Sequence, residues 1–191
     1  MNRFLETERT YLGEFGVDDA ELLFDLDSDP EVMRYLTGGV PSTREEVAEA
    51  LQRILALYQK HAGKFGLWKA EEKATSRFIG WFILRPSHTD PENTKRIEIG
   101  YRLKREFWGN GYATEVSRAL VSKAFDEFDV DEVFGTSMKE HAASQRVMEK
   151  CGLSFVREFV YDEPPGPVTL DVEYSLGRSD YLRNRSGSVR G

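Results

Sequence analysis

A chain of 191 residues with 40% hydrophobic, 12% aromatic and 31% charged side chains can bury a core of its own, which excludes a fibrous or intrinsically disordered protein. A net charge of -7 excludes a nucleic-acid binder that covers phosphates with clustered Lys and Arg, and suits an amine partner as readily as plain solubility. The single cysteine, Cys151, excludes an intramolecular disulfide, and with no apolar run of signal-peptide or membrane-spanning length the expected setting is a reducing cytoplasm, away from membranes.

In chain order, residues 9–15 read as a strand. Asp18, Asp19, Ala20 and Glu21 then open a short helix carrying Leu22, Leu23 and Leu26, which Pro30 stops. Ser42 with Glu45 forms a capping-box pattern, after which Val47, Leu51, Ile54 and Tyr58 share one helix face up to about Gly63. Residues 65–71 and 78–84 predict a hairpin joined by a polar turn. From Ile97 to Leu103 the chain alternates strictly, with Ile97, Ile99, Tyr101 and Leu103 on one side and Glu98, Gly100 and Arg102 on the other. Beyond Gly109-Asn110-Gly111, the spacing of Ala113, Val116, Leu120, Ala124 and Phe125 predicts an amphipathic helix to about Phe128. Residues 133–138 read as a strand, 142–151 as a helix capped by Gly152, and 153–161 as a strand. Pro164-Pro165-Gly166-Pro167 turns the chain into a last strand over 168–176. The expectation is one α/β domain over residues 1–178, with about seven strands and four helices, and a flexible tail over 179–191. His61, His88 and His141 are scattered without ligand spacing, so no metal site is expected.

The glycine loop carries the most chemistry. Glycines let the backbone turn tightly and approach a ligand, and a helix starting there aims free N–H groups and its positive dipole end at an anion such as a pyrophosphate. By spacing alone an Asn-Gly hairpin turn remains open. The loop lacks the full GxGxxG of a dinucleotide fold and the Lys-Ser/Thr of a Walker loop.

Three stretches in order, Glu98-Ile99-Gly100-Tyr101-Arg102-Leu103, Phe107-Trp108-Gly109-Asn110-Gly111-Tyr112-Ala113-Thr114-Glu115 and Ala143-Ser144-Gln145-Arg146-Val147-Met148-Glu149-Lys150-Cys151-Gly152, resemble the GCN5-related N-acetyltransferase (GNAT) superfamily. Asp29-Pro30-Glu31-Val32-Met33-Arg34-Tyr35-Leu36 and Phe78-Ile79-Gly80-Trp81 are similar to its RimJ/RimL-like branch, and the resemblance spans about residues 8–176. It implies a mixed, splayed sheet with helices on both faces. It also implies acetyl-CoA as acyl donor, its pyrophosphate on Trp108, Gly109, Asn110, Gly111, Tyr112, Ala113 and Thr114 and its pantetheine arm along Ile99, Gly100, Tyr101, Arg102 and Leu103. His141 and Ser144 would lie at the acyl end. Two positions depart from the family pattern: Trp108 stands where Arg or Gln is frequent, and His141 where Asn is usual.

Acetyl transfer to an amine requires a base for the amine, a donor for the developing oxyanion and an acid for the departing thiolate. Glu98, on the polar side of its strand, is the candidate base, directly or through water; the alternative is a surface glutamate paired with Lys95 or Arg102. Glu115 is a weaker base candidate, since a first-turn Glu also serves the helix dipole. A backbone N–H near Ile99 or Gly100 would supply the oxyanion donor. Ser144 is the candidate acid, or else a helix cap, with Tyr101 and Tyr112 as further options. Cys151 ends a helix, where the dipole disfavours a thiolate, so direct transfer is expected. His141 could replace the hydrogen bond of the usual Asn, take part in proton transfer, or only cap its helix. The acceptor, a protein N-terminus or a small-molecule amine, would be met by residues 33–39, Trp68, Trp81 and 161–168, where Asp162 and Glu163 could attract a cation. An alternative is a non-catalytic acyl-CoA-binding sensor of the same fold; a homodimer is a further expectation.

Overall fold

The computed structural model describes residues 3–162 and 167–188. Among these, eight strands form one sheet: β1 (Arg3–Glu6), β2 (Thr10–Gly13), β3 (Gly66–Glu72), β4 (Phe78–Pro86), β5 (Arg96–Leu103), β6 (Glu132–Met138), β7 (Ser154–Tyr161) and β8 (Thr169–Gly177), in the order β1-β2-β3-β4-β5-β6-β8-β7. Every neighbouring pair is antiparallel except β5 and β6. Helices α1 (Ala20–Asp27), α2 (Pro30–Met33), α3 (Arg44–Lys60), α4 (Tyr112–Glu127), α5 (Ala142–Lys150) and α6 (Arg178–Ser188) complete the fold. The expected class and mixed sheet are present, with one strand and two helices more than the sequence predicts.

Each difference has a cause in the contacts the chain makes. β1 is four residues long and gains its strand character by pairing with β2, while its Phe4 lies flat on Trp68 with ring centroids 3.5 Å apart. α1 ends at Asp27, ahead of Pro30 as expected, and Pro30 in addition opens α2, since proline at a first helical position gives up only an N–H that has no partner there, and Asp29 caps by accepting from the Glu31 N–H. The capping box of α3 is formed by Thr43 and Glu46, one residue beyond the predicted pair: the Glu46 N–H donates to the Thr43 hydroxyl and the Thr43 N–H to the Glu46 carboxylate. Residues 179–188, expected as part of a tail, belong to the helix Arg178–Ser188; Tyr181 is buried and stacks on Phe125, and Arg185 pairs with Asp126. The predicted turn at 164–166, Glu163 and the last residues, 189–191, lie outside the described residues.

The core runs along one face of the central strands. Phe82, Leu84, Ile97 and Val133 meet Val116, Leu120 and Ala124 of α4, all at most marginally accessible. β4 and β5 approach so closely that a Cβ on Gly80 would stand 2.1 Å from the Arg102 carbonyl oxygen, and Gly80 holds a φ of 141°. That contact fixes β5, the strand that carries the candidate site.

Candidate active site

β5 and β6 pair only where Arg96, Ile97 and Glu98 meet Glu132, Val133 and Phe134. Both strands continue, β5 to Leu103 and β6 to Met138, without further pairing to each other. The sheet therefore splits, leaving a margin of β5 from Ile99 onward whose backbone groups on that side belong to no ladder. At the far end of this margin the Leu103 carbonyl accepts from the Trp108 indole at 2.7 Å, tying the strand to the loop that follows.

The loop has the geometry of an anion cradle. Gly109 and Gly111 hold φ of 74° and 84°, a region costly for residues with a side chain, and Gly111 is the residue from which α4 starts. No side chain caps α4, and the Glu115 N–H donates to the Gly111 carbonyl at 3.0 Å, the bond that opens the helix. The preceding N–H groups are thus available to an anion. A coenzyme pyrophosphate fits this arrangement, with the open margin of β5 leading from it into the sheet.

Alternation puts Tyr101 and Glu98 on opposite faces of β5. Burial pushes the Tyr101 phenol up, a hydrogen bond with the Ser144 side chain opposing this, so β5 and the first turn of α5 meet at the split. On the other face, the Glu98 carboxylate takes Arg85 of β4 as its ion-pair partner at 3.4 Å and is largely covered. The two partners expected from sequence are engaged elsewhere: Lys95 with Asp129 at 2.5 Å, and Arg102 with Asp27 at the end of α1, also at 2.5 Å. Arg102 further lies over the Trp81 ring. His141 holds the cap position of α5, yet its side chain makes no capping bond; it stacks on Tyr35, from the turn after α2, with centroids 4.1 Å apart. Burial pulls the His141 pKa down.

Other candidates stand apart. Trp68 is 1% exposed beneath Phe4, which removes it from any acceptor surface. The Tyr112 hydroxyl donates to Glu72, and Glu115 accepts from the Thr7 hydroxyl and from the Arg9 backbone and side chain. Burial pushes the Glu115 carboxyl up, and those hydrogen bonds more than reverse it, holding it below the ordinary range. Cys151 is buried, its thiol pushed up to about 12, chiefly by desolvation. A hollow of about 480 Å³ lined by Arg3, Phe4, Tyr58, Lys64, Lys123 and Phe128, among others, includes none of the site residues.

Residues 9–154 match the family described as the acetyltransferase (GNAT) domain. The chain belongs to this family. It is 37% identical over 192 residues to the FsC-acetyl coenzyme A-N(2)-transacetylase of Aspergillus fumigatus, an alignment covering 97% of this chain and 80% of that protein. Among solved structures, a RimL ribosomal L7/L12 alpha-N-protein acetyltransferase in complex with coenzyme A superposes with a TM-score of 0.76 at 16% identity, covering 92% of this chain and 98% of the other. A spermidine N-acetyltransferase from Vibrio cholerae in complex with CoA and spermine gives 0.68 at 17% identity, covering 91% and 98%. These likenesses to solved structures carry the fold. The protein is an acetyltransferase with acetyl-CoA as its acyl donor. Among its described residues no group of three or more His, Cys, Asp or Glu is placed to hold a metal, and no helix is long and apolar enough to cross a membrane.

Sequence reading singled out Glu98, Tyr101, Arg102, His141, Ser144 and the glycine loop, but not Arg85, Asp27 or Arg9, which pair with Glu98, with Arg102 and with the loop. No local pattern marks Arg9; its partners Asn110 and Glu115 lie 101 and 106 residues away.

Proposed function

We propose that this acetyltransferase moves the acetyl group of acetyl-CoA directly to a primary amine, with Glu98 taking the amine proton and Ser144, backed by Tyr101, returning one to the departing thiolate. The observation that carries the reading is the split between β5 and β6, with a carboxylate on one face and paired hydroxyl groups on the other. An amine arriving from the Glu98 side would meet the thioester across the strand margin, where an unpaired backbone N–H of β5 can donate to the developing oxyanion. Arg85 keeps Glu98 oriented. The raised Tyr101 phenol keeps its proton at neutral pH, as an acid must. Direct transfer is favoured over an acetyl-enzyme because the one cysteine is buried and protonated. The amine enters between Tyr35, Trp81 and the Asp27–Arg102 pair, and is either a small molecule or a protein N-terminus. The Aspergillus relative, named for transacetylation at an N(2) position, supports nitrogen as the acceptor atom.

The test is calorimetric titration of acetyl-CoA into wild type and Gly111→Trp, followed by turnover with small amines and with peptide N-termini in wild type, Glu98→Gln and Ser144→Ala. Saturable binding lost in Gly111→Trp, with amine acetylation that falls in the other two variants, is the expected result. Unimpaired turnover in both Glu98→Gln and Ser144→Ala would remove the assigned roles.

A further inference from the structure

The turn between β1 and β2 reaches across to the glycine loop through one side chain. Arg9 Nε donates to Glu115 Oε2 at 2.6 Å, one of its terminal nitrogens donates to the Asn110 carbonyl oxygen at 2.9 Å, and its guanidinium lies over the Tyr112 ring, 4.3 Å from the centroid. Its backbone N–H also donates to Glu115, at 2.9 Å, and the Thr7 hydroxyl donates to the same carboxylate at 2.6 Å. Arg9 is thus held from behind by α4 and holds the loop in front.

The bond to Asn110 matters because of peptide geometry. In a trans peptide the carbonyl oxygen and the next N–H point in opposite directions. A carbonyl of Asn110 captured by Arg9 therefore turns the Gly111 N–H to the far side, away from Arg9. Left free, the same peptide could rotate and present its oxygen to an approaching anion, since Gly111 tolerates many backbone angles. The planar fork of arginine can grip a carboxylate and a carbonyl together, which a lysine ammonium on its flexible stem does not reproduce.

We propose that Arg9 is a positioning residue for coenzyme binding: held by Glu115, it fixes the Asn110–Gly111 peptide so that the loop presents N–H groups, and no carbonyl, to the coenzyme pyrophosphate. This rests on the loop being the pyrophosphate site, and it is independent of which amine is acetylated.

The test measures dissociation constants for coenzyme A by calorimetry and for pantetheine, which lacks the pyrophosphate, by ligand-observed NMR, in wild type, Arg9→Ala and Arg9→Lys, with melting temperatures alongside. Both variants are expected to weaken coenzyme A binding by roughly tenfold, the scale of one charge-assisted hydrogen bond, and to leave pantetheine binding within about twofold. Coenzyme A binding by Arg9→Lys equal to wild type would mean that charge alone suffices and would overturn the proposal. Equal losses for both ligands would mean general damage to the fold and would also overturn it. A wild type that fails to bind coenzyme A would instead sink the reading of the loop, whereas a wild type that binds it with Arg9→Ala unimpaired would sink the role of Arg9 alone.

Discussion

The Tyr35 ring lies flat on the His141 imidazole, with 4.1 Å between centroids and 10° between planes. This stack joins the turn after α2, which lines the proposed acceptor entrance, to the start of α5. A neutral imidazole stacks there without the cost of burying a charge.

That cost gives stability a pH dependence. Burial holds the folded-state pKa of His141 below its ordinary value of 6.5, so the unfolded chain binds the proton more readily. The contribution is fully present above that ordinary value and is lost as pH falls through the folded-state pKa. His61 is lowered in the same direction, first by burial, and adds a second share. Urea midpoints of His141→Asn are therefore expected to fall less steeply than those of wild type on acidification below about pH 6.5. An unchanged slope would contradict the assignment.

Removing the Tyr35 ring is expected to act on the acceptor side only. Tyr35→Ala should raise KM for the amine while leaving the dissociation constant of acetyl-CoA within about twofold, the pattern of lost ground-state binding. A loss of coenzyme affinity of the same size as the rise in KM would place Tyr35 elsewhere.

For Glu98→Gln, kcat is expected to fall by roughly 10²- to 10⁴-fold with coenzyme affinity retained, the range for removal of a general base. Raising the assay pH, which deprotonates more of the amine in solution, should recover part of that loss. Full activity at neutral pH would show Glu98 to be only the partner of Arg85.

Cys151 should stay unmodified by maleimide in the native state and react on unfolding, because its thiol is buried and pushed up to about 12. Mass spectrometry after incubation with acetyl-CoA and no amine should find no acetylated cysteine. Cys151→Ala should keep its kcat.

Gly80→Ala should be among the most damaging single-methyl changes in the chain. The new Cβ would fall 2.1 Å from the Arg102 carbonyl oxygen at a φ of 141°, so strain and overlap add. A loss of at least about 2 kcal/mol, read from denaturant melts, is expected. A near-neutral result would mean that β4 and β5 lie further apart.

How far the sequence carried depended on whether a signal was local. The helix from Ala113 onward, the alternation through β5 and the glycine cap at Gly152 depend on residues within a few positions of one another, and all three are present. The capping box slipped by one residue because Ser42 with Glu45 and Thr43 with Glu46 fit the pattern equally, and only the backbone at Thr43 decides between them. α6 offered just Tyr181 and Leu182 as large apolar side chains before Val189, and its order depends on Phe125 and Asp126, far back in the chain. In the site, residue types pointed to Glu98 and Ser144, but the pairs Arg85–Glu98, Asp27–Arg102, Tyr35–His141 and Arg9–Glu115 each join different elements. Nothing in a linear string specifies which charge or ring will face which across a sheet.

The three rungs shared by β5 and β6 have one more consequence. Strands β1 to β5 and strands β6 to β8 form two leaves bound along a short spine, and beyond it each leaf keeps an unfinished margin. On the proposed reading, a donor arm lying in the gutter would complete both pages at once, in the place of rungs that the two strands do not form. Amide hydrogen exchange should then slow together along residues 99–102 and 135–138 when the donor binds, and a peptide-level map would show the book closing from its spine outward.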